Sequence, residues 1–126
     1  MKLIATFELM RKKVSEIDDP KYGEGSVSCE PSVSEIEIAV RENYLETRGF
    51  QRHLRELLAD WGGPNNFDEI RKYHARRIAF FVKLGWSDPI VLKSDRYQVE
   101  DGLHRLKAAR FLKMEYVAVL VSEGTT

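Results

Sequence analysis

The stretch EDGLHR at residues 100–105 combines residue types that suit the binding of an anion. It leads into a predicted helix, whose first N–H groups lack intrahelical partners and carry the positive end of the helix dipole. Gly102 lets the backbone approach a ligand closely, Arg105 supplies a permanently charged fork, and His104 adds a donor that titrates near neutral pH. The pattern predicts a phosphate-binding turn at Gly102, His104 and Arg105.

Two carboxylates stand immediately before that turn. Glu100 and Asp101 repel a bare anion, so their position makes sense if Glu100 holds a magnesium ion, or if Asp101 accepts a proton from an attacking hydroxyl. They are therefore the candidate catalytic residues, and Mg²⁺ arriving with a nucleotide is the candidate cofactor. A structural alternative stays open, in which Asp101 is the N-cap of the helix and Arg105 pairs with Glu100 or Asp101 on the surface.

The elements around the turn are predicted to be short strands and one helix. Strands are expected at PIVLK, RYQVE and EYVAVLV, and the helix LHRLKAARFLK lies between the last two. The polar KSDR at 93–96 predicts a hairpin between the first two strands. Another strand is expected within residues 2–14, where apolar and polar side chains alternate over part of the run.

Helices are predicted in the middle of the chain. An apolar stripe starting at Phe50 indicates one helix that ends at the GGP of 62–64, and a second helix runs from an Asn66 N-cap to Gly85. Residues 33–47 are ambiguous, because SEIEIAV alternates like a strand while Ser34 and Glu37 resemble a capping box. The fold class expected from this order is α+β.

Composition favours one domain of 126 residues with an ordinary apolar content of 43%. The lone Cys29 excludes an internal disulfide and a cysteine-based zinc cluster. No apolar run approaches the about 18 residues of a membrane span and no signal peptide is recognised, so we expect a cytoplasmic protein without a membrane partner. Residues 64–113 hold 11 Lys/Arg against 6 Asp/Glu, a net +5, which suits an anionic ligand or a solvated face.

Two motifs resemble those of the ParB/sulfiredoxin-like superfamily, which includes the ParB amino-terminal and ParB-like nuclease domains. GWSDPIVL at 85–92 resembles the step that closes a helix and enters a strand, and Gly102-Leu103-His104-Arg105 followed by Ala108 resembles the signature turn. The resemblance covers residues 67–121. Residues 1–66 then form an amino-terminal extension with a strand, a loop and a helix packed on that core.

The resemblance implies a small mixed sheet with packed helices and a site for ATP or CTP, often with magnesium. Phosphate contacts fall on Gly102, His104 and Arg105, and some members are kinases in which an aspartate at the position of Asp101 acts on the attacking hydroxyl. The reaction implied is therefore NTP hydrolysis or phosphoryl transfer. The residues expected near the nucleotide are Gly85, Trp86, Asp88 and Pro89.

The chain also departs from these families. Leu103 replaces the catalytic cysteine of sulfiredoxins, so their chemistry is not expected. Leu103 and His104 replace the glutamate and arginine of ParB, so its CTP selectivity does not carry over. Because the sequence ends soon after Val121, we expect a small stand-alone member, of the kind found in bacteria and phages, instead of a partition clamp.

Three points stay open from the sequence. His74 and Arg77 either reach toward the phosphates, or are a packed core histidine and a surface arginine. The alternative functions are DNA binding or nuclease activity and a non-enzymatic interaction role, and a dimer is one option for the oligomeric state. The cations that suit DNA are Arg71, Lys72, Arg76, Lys107, Arg110 and Lys113.

Overall fold

A computed structural model describes residues 7–24, 26–93 and 98–122. It contains helices and a mixed sheet, which confirms the α+β class. In chain order the elements are β1 (Phe7–Lys13), a 3-10 turn (Val14–Glu16), β2 (Gly23–Glu24), β3 (Val27–Ser28), α1 (Val33–Arg41), α2 (Leu54–Trp61), α3 (Phe67–Leu84), β4 (Ile90–Leu92), β5 (Val99–Asp101), α4 (Leu103–Phe111) and β6 (Tyr116–Ser122).

The elements fall into two compact units. One contains β1, the 3-10 turn, β4, β5, α4 and β6, and the other is the continuous segment from Pro20 to Gly85. These two units differ from the predicted division into a core of 67–121 and an extension of 1–66. α3, expected in the core, belongs to the segment 20–85, and β1, expected in the extension, belongs to the sheet.

The sheet of the first unit has the order β1-β6-β4-β5. β1 runs antiparallel to β6, β6 runs parallel to β4, and β4 runs antiparallel to β5. Alternate β6 residues are buried against α4 because successive side chains of a strand point to opposite faces. The resulting core is made of Val14, Ile17, Ile90, Leu92, Leu106, Ala109, Val117, Val119 and Val121.

The hairpin expected after β4 agrees with the pairing of β4 and β5, which the Lys93 N–H extends by donating to the Gln98 carbonyl at 2.9 Å. Its turn, residues 94–97, lies outside the described part of the chain, as do residues 2–6 of the strand expected at 2–14. None of the four helices in the described residues has the length and apolar character needed to span a bilayer.

The second unit is built from α1, α2, α3 and the small β2–β3 pair. Residues 33–41 are helical, but the capping box predicted at Ser34 is wrong: it is formed two residues earlier, by Ser32 and Glu35. α2 begins at Leu54, because the residues from Phe50 to His53 form a turn, and ends at a left-handed Gly62. α3 has the predicted bounds, since the Asn66 side chain accepts from the Glu69 N–H and Gly85 ends the helix.

Candidate functional site

The turn between β5 and α4 is organised by Gly102. Its φ of 102° and ψ of 25° place it in the left-handed region, which favours glycine. Its carbonyl accepts from the Leu106 N–H at 2.9 Å, so Gly102 is the N-cap residue of α4. The alternative in which Asp101 is the N-cap is therefore wrong, and Gly102 itself has no side chain to cap the helix.

Arg105 folds back over Gly102 and binds the segment that enters β4. Its Nη1 donates to the carbonyls of Asp88 at 2.9 Å and Pro89 at 3.1 Å. A Cβ built on Gly102 would lie 3.0 Å from the Arg105 Nη2 and 3.1 Å from its Nε. The side chain is only 11% exposed, so this arginine is held in place by the protein itself.

Both carboxylates of the turn, Glu100 and Asp101, are open to solvent, and Asp101 lies beside the Arg105 guanidinium. The β4–β5 register shifts between Val91 and Leu92, so Glu100 is an additional residue on β5, as in a β-bulge. The Asp101 side chain is 76% exposed, with Oδ2 3.5 Å from the Arg105 Nη2. Among the described residues no group of three or more His, Cys, Asp or Glu could hold a metal ion. Two carboxylates still match the donor chemistry of a magnesium ion whose other ligands are phosphate oxygens and water.

Some residues of the segment 85–89, which is expected near the nucleotide, pack against the sheet core or bind Arg105 through their main chain. Trp86 is half-buried and packs against the sheet core, as does Leu103 at the first position of α4. Asp88 and Pro89 meet the turn through their main-chain carbonyls, while the Asp88 side chain is exposed. The structure therefore brings Asp88 and Pro89 together with Gly102 and Arg105, whereas Gly85 belongs to the segment 20–85.

His74 and Arg77 also lie in that segment and have contacts of their own. The His74 imidazole is 7% exposed, stacks on the Tyr22 ring at 3.7 Å and meets the Tyr73 ring edge-on at 5.3 Å. Of the two roles left open for His74, these contacts match a histidine packed in the core. Arg77 donates to the carbonyls of Thr47 at 2.9 Å and Glu46 at 3.3 Å, so its guanidinium anchors the chain between α1 and α2.

Some cations assigned to a DNA-binding surface are engaged inside the protein. Lys107 is 5% exposed and its Nζ lies 2.9 Å from Asp19 Oδ1, so its assignment to an exposed surface is wrong. Arg110 donates to the carbonyls of Val14 and Ile17 and lies 3.4 Å from Asp19. Together these contacts hold residues 14–19 against α4. The contact that accounts for the burial of Lys107 joins residues 88 positions apart, so no local signal in the sequence predicts it.

In the second unit, Arg71 and Lys72 are also paired. Arg71 bridges Glu35 at 3.0 Å and Asp68 at 2.9 Å, and Lys72 meets Glu69 at 3.2 Å. The pKa of Glu35 is lowered, because burial is outweighed by its hydrogen bonds from Ser32 and Arg71 and by the Arg71 charge. The contact of Arg71 with Glu35 links α1 to α3, and the three ion pairs together neutralise part of the positive charge expected to attract DNA.

The comparisons with known proteins identify no relative. No protein-family model, no curated protein and no solved structure matches the chain. The resemblance to the ParB/sulfiredoxin-like superfamily therefore stays a prediction that rests on the two motifs, and the site is interpreted from its own geometry.

Proposed function

We propose that the turn at Gly102 binds the phosphates of a nucleoside triphosphate such as ATP or CTP. The observation that carries this proposal is the position of the Arg105 guanidinium, which lies over a side-chain-free, left-handed helix N-cap. A cation fixed beside the positive end of a helix creates a local field that favours a phosphate group. The bonds from Nη1 to the Asp88 and Pro89 carbonyls fix that cation before the ligand arrives.

Two nitrogens of the Arg105 guanidinium, Nε and Nη2, are proposed to bind the ligand. Nη1 is occupied by two carbonyls, while Nε and Nη2 lie on the side of Gly102. An arginine edge with two parallel N–H groups matches two oxygens of one phosphate. Asp101 approaches Nη2 only at 3.5 Å and from a largely exposed position, so a phosphate oxygen can displace it at little cost.

The carboxylates define the reaction proposed for the bound nucleotide. Glu100 would share a magnesium ion with the phosphate oxygens, and the ion would neutralise charge during hydrolysis or phosphoryl transfer. Asp101 would orient the attacking water or hydroxyl and accept its proton. His104, half-buried on the first turn of α4, would add a donor to the phosphates.

A thermal-shift titration with ATP, CTP, GTP and inorganic triphosphate, with and without magnesium, tests the binding. A ligand at about 100 times its Kd stabilises the folded state by roughly 2.7 kcal/mol, which is a shift of several degrees for a chain of this size. Asp101→Asn should tighten binding in the absence of magnesium, because a negative charge beside the site is removed. Glu115→Gln is the matched control, since Glu115 is an exposed acid beyond the other end of α4.

The outcomes separate binding from turnover. A nucleotide shift that Asp101→Asn strengthens and Glu115→Gln leaves unchanged supports the site, and loss of phosphate release in Asp101→Asn then supports the reaction. No shift with any of the four ligands would contradict the proposal. The alternative of DNA binding would then be tested by the salt dependence of DNA retention.

A further inference from the structure

We propose that two copies of this chain associate through the outer edges of their β1 strands. The strands run antiparallel to each other, with Met10 on the two-fold axis. Joining two sheets of order β1-β6-β4-β5 in this way gives one continuous sheet of eight strands. The Gly102 turn follows β5 at the opposite edge of each sheet, so this association is independent of the proposed nucleotide site.

The outer edge of β1 is seven residues long and pairs with no other strand in the described part of the chain. In the described part of the chain β1 pairs with β6 alone, over all seven residues from Phe7 to Lys13. Leu9 is 67% exposed, and the Arg11 guanidinium lies 5.3 Å from the centre of the Tyr116 ring on β6. Arg11 therefore leans toward its own sheet and not across the free edge. An unpaired edge of this length offers a row of backbone groups to another strand.

The hydrogen bonds to β6 identify which backbone groups face outward. The Val14 N–H donates to the Glu115 carbonyl at 2.9 Å, and these residues continue the β1–β6 register in directly opposite positions. Hydrogen-bonded and non-hydrogen-bonded pairs alternate along an antiparallel ladder. The even-numbered residues of β1 therefore bond to β6, while the N–H and C=O groups of Leu9, Arg11 and Lys13 point to the free edge.

The charges of β1 favour one register for self-pairing. With Met10 on the axis, Leu9 faces Arg11 of the second copy through outward-pointing backbone groups. Glu8 then faces Lys12 of the second copy, and the symmetry produces this acid–base pair twice. Those two pairs are of the non-hydrogen-bonded type, in which opposite side chains come closest. The Lys12 ammonium lies 3.6 Å from Glu16 of its own chain, so Glu8 of the second copy would join an existing ion pair of this lysine.

The two neighbouring registers give less favourable cross-strand side-chain pairs. With Arg11 on the axis, the two Arg11 side chains face each other and Glu8 faces the apolar Val14. With Leu9 on the axis, Glu8 faces Met10, so the pairing of Glu8 with Lys12 is lost. Like charges in directly opposite positions destabilise an antiparallel pair. The sequence of β1 is therefore self-complementary in the one register centred on Met10.

Sedimentation velocity of the full chain over a concentration series tests the proposal. Wild type should show a monomer–dimer equilibrium. Glu8→Lys and Lys12→Glu should each weaken association about tenfold, because two favourable cross-strand pairs become two repulsive ones. The double variant Glu8→Lys with Lys12→Glu should restore the wild-type equilibrium, because each pair is re-formed with its charges exchanged. The matched control is Arg52→Glu, a charge reversal at an exposed position outside the sheet unit.

A backbone variant provides a second test. Proline on an edge strand is tolerated where the N–H faces solvent. Arg11→Pro removes one outward N–H while keeping the bonds to β6, so it should abolish the dimer and retain a folded monomer by circular dichroism. A chain that is monomeric up to hundreds of micromolar would overturn the proposal. So would a dimer that neither the charge reversals nor Arg11→Pro weaken, since such a dimer uses another surface.

Discussion

Replacing Arg105 by alanine should destabilise the protein whether or not a ligand binds. The substitution removes two hydrogen bonds, from Nη1 to the carbonyls of Asp88 and Pro89. Hydrogen bonds made by charged groups contribute about 1.5–3 kcal/mol each when buried, and the lower end applies here because the Asp88 contact is exposed. The contact with Asp101 adds almost nothing, because that carboxylate is 76% exposed. We expect a loss of about 3 kcal/mol in the free energy of unfolding.

Urea denaturation followed by circular dichroism measures this loss. For a chain of this length, about 3 kcal/mol corresponds to a decrease in Tm of roughly 10 °C. Arg105→Lys should lose about half as much, because one ammonium group can still reach one of the two carbonyls. Arg52→Ala is the control for removing an exposed arginine, and it should stay within about 0.5 kcal/mol of wild type.

A small effect would refute the reasoning. If Arg105→Ala unfolds within about 0.5 kcal/mol of wild type, the two carbonyl contacts do not hold the segment before β4. If instead the stability falls as expected and a nucleotide still raises the Tm of the variant by the wild-type amount, Arg105 is structural only. The ligand-induced shift must therefore be compared with the Tm of each variant alone.

Two further predictions concern backbone strain and pH. Gly102→Ala should lower the free energy of unfolding, measured in urea, by about 1–3 kcal/mol more than Gly63→Ala does. Both glycines have a positive φ, of 102° and 113°, but only at Gly102 does an added Cβ meet the Arg105 guanidinium. Equal losses in the two variants would show that the guanidinium moves aside. The folded state lowers the pKa of Glu35 from 4.5, so its bond with Arg71 should stabilise the protein above that pH and lose its contribution as the pH falls through the lowered value. The difference in unfolding free energy between wild type and Glu35→Gln should therefore shrink between neutral and strongly acidic pH, and a constant difference would contradict the assigned ion pair.

Local signals predict α2, α3 and α4, but they leave residues 33–47, which contain α1, ambiguous between a strand and a helix. The bounds of α3 follow from Asn66 and Gly85, because a cap and a left-handed end act on adjacent backbone groups. The sequence predicts the capping box of α1 two residues too late, because Ser32–Glu35 and Ser34–Glu37 have the same spacing. The periodic pattern alone cannot choose between two equivalent starts.

Interactions between distant parts of the chain were not predictable in the same way. Met10 faces Val119 in the sheet, 109 positions later, and nothing near either residue specifies the other. The charge of Lys107 predicts an exposed side chain, whereas its burial depends on Asp19, 88 positions earlier in the sequence. The same limit applies to the site: the resemblance places Asp88 and Pro89 near Gly102 and Arg105, but only the fold shows that their carbonyls accept hydrogen bonds from the guanidinium.

The pairing of β1 with β6 also determines when the sheet can form during synthesis. β1 is made first among the described elements, and its partner is made last. At about 5–20 residues per second, the ribosome needs roughly 5–20 s to make the intervening chain. The continuous segment 20–85 can fold within that time, whereas β1 must wait with both of its edges unpaired. A nascent chain therefore depends on this interval being short, or on a chaperone that covers β1 until β6 has left the ribosome.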